Sequence, residues 1–132
     1  MHILMLFLDG IGLGADDPAV NPFAIANTPN LFQLANGRRW LADTGRQTTD
    51  RALFIPTDPR MDVPGRPQSG SGQAAILTGC NIPQMIGEHY GPKPNKAIRD
   101  LLAEDNFFKQ VVAHNKKAAL LEAYPPRWHK ST

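Results

Sequence analysis

The chain has 132 residues, enough for one domain that buries roughly two thirds of its unfolded surface when its fold is complete. Apolar residues make up 42% and charged residues 20%, a globular rather than a disordered or membrane composition, and 14 basic against 12 acidic side chains give no strong bias toward nucleic acid or anionic lipid. The longest apolar run, residues 3–8, is too short for a bilayer and lacks signal-peptide flanks, and Cys80 as the only cysteine excludes an intramolecular disulfide and a cysteine zinc cluster; a reducing cytoplasm fits best, with no membrane or nucleic-acid partner.

Residues 2–8 form a continuous hydrophobic run ended by Asp9-Gly10, the pattern of a strand covered on both faces in a parallel sheet flanked by helices. The fold class is therefore α/β, read as one domain over residues 1–132. Gly10, Gly12 and Gly14, then Asp16-Asp17-Pro18 and Asn21-Pro22, predict a loop. Thr28-Pro29 predicts a capped helix start, with Leu31, Phe32, Leu34 and Ala35 as its stripe and Gly37 as its stop. Thr48-Thr49 and residues 52–55 fit short strands or a hairpin between prolines.

A Pro/Gly/Ser-rich loop over 63–72 leads into a helix over 73–77 that Gly79 ends, and a second such loop spans 81–94. Asn95 caps a helix bearing Ala97, Ile98, Leu101 and Leu102, and Asn106 starts another with Phe107, Phe108, Val111 and Val112. Residues 117–124 read as a further buried strand. The basic residues gather late, among them Lys93, Lys96, Arg99, Lys109, Arg127 and Lys130, without interleaved aromatics, which is the pattern of a solvated surface.

Two features carry chemistry. A carboxylate just past a parallel strand, Asp9, sits where open α/β sheets collect ligands, although Asp-Gly by itself is more often the chemistry of a turn. Ser69 bears a hydroxyl that becomes nucleophilic once a base or metal ion removes its proton. Gly70 and Gly72 permit close backbone approach, and the following helix aims N–H groups at an anion such as phosphate. The structural alternative is that Ser69 and Ser71 only cap that helix.

The segment Ser69-x-x-x-x-Ala74-Ala75-Ile76-Leu77-Thr78-Gly79 resembles the nucleophile segment of the alkaline phosphatase superfamily, and the interval back from Gly79 selects Ser69 over Ser71. Leu8-Asp9-Gly10-Ile11-Gly12-Leu13-Gly14 is similar to the opening of the phosphopentomutase and cofactor-independent phosphoglycerate mutase branch. The sulfatase branch would place proline near Ser71 and arginine at Gln73, and the mutase's longer glycine- and histidine-bearing segment is absent too. The resemblance implies an alkaline-phosphatase-like sandwich with a mostly parallel sheet, incomplete here, and a small phosphorylated substrate. It also implies Ser69 as nucleophile and two divalent ions, manganese or zinc, of which Asp9 and Ser69 would share one. The remaining aspartate and histidine ligands in that superfamily come from a longer C-terminal part. Hydrolase and mutase are not distinguished.

His89 lies in a loop that approaches a cleft or the surface; His2, His114 and His129 fit structural positions, and none shows His-x-x-x-His spacing. Asp16 and Asp17 fit a turn. Two rivals remain. Residues 10–15 match Gly-x-Gly-x-x-Gly/Ala, a dinucleotide fingerprint that needs a helix where Asp16-Asp17-Pro18 continues a loop. The other is a non-catalytic truncated paralogue or a half-domain, for which self-association or a complementing C-terminal chain would cover the open sheet.

Overall fold

The computed structural model describes residues 2–121. The end of the expected strand over 117–124, His129 and the basic residues Arg127 and Lys130 lie outside the described residues. The chain divides into two compact units, Met1–Asp58 and Pro59–Thr132. Helices and a small antiparallel sheet give a mixed α/β content.

In the first unit Asn21 opens a 3-10 turn, Pro22–Ala24, accepting from the Phe23 N–H at 3.1 Å through Oδ1 and donating from Nδ2 to the Ala15 carbonyl at 2.7 Å. Helix α1, Pro29–Leu34, follows with proline in its first turn; Thr28 occupies the N-cap without a hydroxyl cap bond, and Gly37 ends the segment at φ +78°. Strands β1, Gln47–Thr48, and β2, Leu53–Phe54, pair antiparallel, the predicted hairpin. Trp40 organises this unit, its ring lying 6.3 Å from Phe23 and 5.5 Å from Phe54 while Nε1 donates to the Leu31 carbonyl at 2.9 Å. A buried indole N–H without a partner would cost about 1–3 kcal/mol, so this bond fixes where the ring sits.

The expected strand over residues 2–8 is not formed. None of these residues joins a ladder among the described residues, and their apolar side chains are exposed, Ile3 at 84%. A strand apolar on both faces gains burial only inside a sheet with neighbours on both edges, and β1 and β2 form the only described sheet. The mostly parallel sheet is thus absent among the described residues, a single parallel bridge from Gly14 to Leu41 aside. Residues 117–121 are likewise irregular and exposed.

The second unit is helical. Helix α2, Ser69–Thr78, packs on α3, Ile82–Ile86, and α4, Lys96–Glu104, and α5, Phe107–Ala113, completes the group. The core is Ala74, Ala75, Ile82 and Ile98, with Met61, Tyr90, Leu101 and Leu102 against it. Two alanines on α2 bring its backbone close to α3 and α4 and let the isoleucines fill the gap. Asn95 and Asn106 cap as predicted, accepting from Ile98 N at 3.0 Å and Lys109 N at 3.1 Å. Helix α3 lies within the expected loop over 81–94. Its signal was Asn81-Ile82-Pro83: the asparagine Oδ1 accepts from Gln84 N at 3.2 Å and proline stands in the first turn.

Candidate functional site at the start of helix α2

Ser69 is the first residue of α2, which begins four positions earlier than the predicted helix over 73–77. Gly70 and Gly72 therefore lie in its first turn rather than in the preceding loop. They oppose helix formation by about 1 kcal/mol each relative to alanine, so tertiary contacts must hold this turn.

Those contacts come from the backbone of residues 90–93. A Cβ on Gly70 would lie 2.7 Å from the Tyr90 carbonyl oxygen and 3.1 Å from that of Lys93, so only glycine admits this approach. Gly91 reciprocates, since a Cβ there would lie 3.0 Å from the Gln68 Cβ and 3.1 Å from the Ser69 nitrogen. Ser71 locks the pair: its N–H donates to the Tyr90 carbonyl at 2.8 Å, and its Oγ accepts from the Tyr90 N–H at 3.0 Å. Its side chain is fully buried.

The two serines differ in burial. Ser71 is fully buried against the 90–93 backbone, and Ser69 is partly buried. The expected anion cradle is narrower than the sequence implied. The Ser71 N–H is already paired, the Gly72 N–H donates to Gln68 O at 2.9 Å, and Gly91 sits over the nitrogens of Ser69 and Gly70. Gly70 serves packing, while a Cβ on Gly72 would meet nothing within 4 Å, so Gly72 marks the open side of the turn.

The Thr78-Gly79 pair closes the helix. Thr78 Oγ1 donates to the Ala74 carbonyl at 2.8 Å and accepts from Cys80 N at 3.2 Å, and Gly79 takes the left-handed conformation at φ +74° with its N–H on Ala75 O.

His89 was placed by sequence only as a loop residue. The structure makes it a tether: Nε2 lies 3.1 Å from the Val63 carbonyl, and Asn81 Nδ2 donates to the Met61 carbonyl at 2.8 Å. Between these attachments Met61 and Asp62 both hold left-handed conformations, at φ +51° and +61°. Non-glycine residues occupy that region at a cost the surrounding contacts must offset. Nothing in the local sequence pairs His89 with Val63, which lies 26 residues earlier.

Asp9 belongs to the other unit, where it is exposed and its Oδ1 accepts from the Gly10 N–H at 2.9 Å, with Gly10 at φ +72°. That is the turn chemistry of an Asp-Gly pair. Asp17 is a turn as well, its Oδ1 accepting from Ala19 N at 2.9 Å and its carbonyl from Asn21 N at 2.8 Å. Beyond Asp9, a pocket of about 350 Å³ is lined by Gly10, Ile11, Gly12, Val20, Asn21 and Phe23 among others. Among the described residues no carboxylate or imidazole lines it. His114 Nδ1 lies 2.8 Å from the Gln110 carbonyl at the end of α5, and His2 is exposed.

Among the described residues no three His, Cys, Asp or Glu side chains group to hold a metal ion. Asp9 and Ser69 alone do not fit a two-ion centre. The glycine loop at residues 10–15 leads only to the three-residue 3-10 turn at Pro22, with no α-helix before Pro29, so the helix that the dinucleotide fingerprint needs directly after its glycines is not there. No protein-family model, curated protein or solved structure matches the chain.

Proposed function

We propose that this chain carries the nucleophile-bearing part of a metal-dependent phosphoryl-transfer enzyme, a hydrolase or mutase acting on a small phosphorylated molecule. The carrying observation is the division of labour in the first turn of α2, where Ser71 is buried in backbone pairing and Ser69 stands partly exposed at the first helical position. In this reading the Ser69 oxygen bonds to phosphorus as the ester oxygen leaves, and the serine proton departs to a base. The helix start supplies a positive end where negative charge gathers. The resemblance also brings a pair of divalent ions, manganese or zinc, for which Ser69 in the second unit and Asp9 in the first are each a candidate donor; the described residues do not by themselves make up such a centre. The mostly parallel sandwich belongs to it too, residues 3–8 being one of its strands.

The test is transfer to Ser69 itself. Incubation with an aryl phosphate and added manganese or zinc is expected to leave a phosphoserine at Ser69, located by peptide mass spectrometry, with low turnover. Ser69→Ala removes the adduct and Ser69→Cys changes its chemistry, whereas phosphoryl transfer that survives Ser69→Ala overturns the assignment. A second reading, a non-catalytic half-domain, is favoured by the exposed apolar residues 3–8. It predicts no adduct under any metal.

A further inference from the structure

Asp9-Gly10 and Asn36-Gly37 each join a side-chain carbonyl group to a following glycine. Both pairs are suited to the same chemistry. A main-chain nitrogen whose own residue has no side chain can attack the side-chain carbonyl carbon one residue back and close a five-membered succinimide. In an unfolded chain near neutral pH the asparagine reacts first, because a carboxamide accepts the nitrogen more readily than an ionised carboxylate does.

The fold treats the two pairs differently. At Asn36 the attacking nitrogen is already engaged: the Gly37 N–H donates to the Phe32 carbonyl at 2.7 Å in the turn that closes α1, and the Arg38 N–H donates to the Ala35 carbonyl at 3.0 Å. Turning the Gly37 nitrogen onto the Asn36 side chain breaks the first of these bonds. At Asp9 the nitrogen is held by the group it would attack. The Gly10 N–H donates to Asp9 Oδ1 at 2.9 Å, and among the described residues no main-chain carbonyl accepts it. Both residues are exposed, so water reaches them, and a Cβ on Gly10 would meet nothing within 4 Å, which leaves room for a ring. Residues 2–8 join no ladder, so the main chain at Asp9 turns without breaking a strand bond.

We propose that Asp9-Gly10 is a site of isoaspartate formation in this chain, and that the turn closing α1 withholds Asn36-Gly37 from the same reaction. The Gly10 nitrogen bonds to Asp9 Cγ of the protonated carboxyl, whose hydroxyl leaves with the amide proton as water. Water then adds to one of the two ring carbonyls, and the bond from that carbon to nitrogen breaks. Addition at the main-chain carbon leaves the chain running through Cγ, with one extra methylene in the backbone and the carboxylate directly on Cα. Addition at Cγ restores aspartate. The net change is an isomerisation, with one water lost and one regained. The inference does not rest on Ser69 or on phosphoryl transfer.

The test holds the full chain at near-neutral pH in heavy-oxygen water and follows it by peptide mass spectrometry with electron-transfer fragmentation, which separates isoaspartate from aspartate. Isoaspartate carrying heavy oxygen is expected at residue 9 before deamidation is measurable at residue 36. In denaturing urea the order should reverse, since the bond from Gly37 to Phe32 is then lost. Gly10→Ala places a methyl beside the attacking nitrogen and should slow the reaction at residue 9 about 10-fold. Gly10 is exposed, so helical circular dichroism should be unchanged in that variant. A folded chain that forms no isoaspartate at residue 9, one that deamidates at residue 36 first, an order that urea leaves unchanged, or a Gly10→Ala chain that isomerises as fast as the parent overturns the proposal. None of these outcomes bears on the Ser69 adduct.

Discussion

Residues 2–8 and helix α2 are both stretches with little charge, yet one is exposed along its whole length and the other has its backbone tied to its neighbours. The difference lies in how each segment finds partners. Helix α2 satisfies most of its backbone within itself, and its two buried alanines need only α3 and α4, which follow closely in sequence. Residues 2–8 have no internal hydrogen bonds to fall back on, because an extended strand draws all of its partners from elsewhere. Apolar character alone therefore did not place a segment in a core; a partner within reach did.

The comparison breaks most sharply where the same side chain is shortened in both regions. Ile98→Ala is expected to cost about 2–5 kcal/mol, since Ile98 is fully buried and the cavity cannot collapse against Ala74 and Ala75. Ile3→Ala should fall within about 0.5 kcal/mol of the parent. Urea unfolding followed by helical circular dichroism reads both on one scale, and a comparable loss at the two positions would show that residues 2–8 are packed after all.

A smaller effect probes the clamp on α2. Gly70→Ala drives a methyl to 2.7 Å from the Tyr90 oxygen, and Ser71→Ala leaves the Tyr90 N–H without its acceptor. Each should cost about 1–3 kcal/mol in the same unfolding measurement. A neutral Ser71→Ala would mean that the 90–93 backbone is held without the hydroxyl. Such a result would return Ser71 to consideration as a reactive group.

Much of this was legible because it was local. Asn95 and Asn106 announce their helices within three residues, Gly79 ends α2, and the hairpin near residues 47–54 fits its short β-prone runs. The site was half legible. The interval to Thr78-Gly79 singles out Ser69 by resemblance alone, while the burial of Ser71 against Tyr90, and the reason that Gly70 is glycine, lie at residues 90–93, about twenty residues on. The start of α2 was misplaced for the same reason: two glycines look like loop until the backbone that presses on them is known. The apolar run at 2–8 failed differently, since its pattern states what a strand needs and not whether the described chain provides it.

Asn95→Ala tests the local end of that contrast. It removes one cap bond to the Ile98 N–H at the start of α4 and should cost about 1 kcal/mol, read as a lower urea midpoint with an unchanged slope.

The smallest expected effect has the opposite sign and bears most directly on function. Gly72→Ala adds a methyl that meets nothing within 4 Å, in the first turn of a helix where alanine is favoured over glycine, so the chain should gain about 0.5–1 kcal/mol. Gly70 is glycine because a neighbour presses on it; no such neighbour explains Gly72. If the open side of this turn receives a phosphorylated substrate beside Ser69, the added methyl occupies that approach. The variant should then unfold at higher urea yet form less phosphoserine at Ser69 under identical conditions. A stability gain with undiminished adduct would leave Gly72 without a part in substrate approach and confine the binding surface to Ser69 and the residues before it.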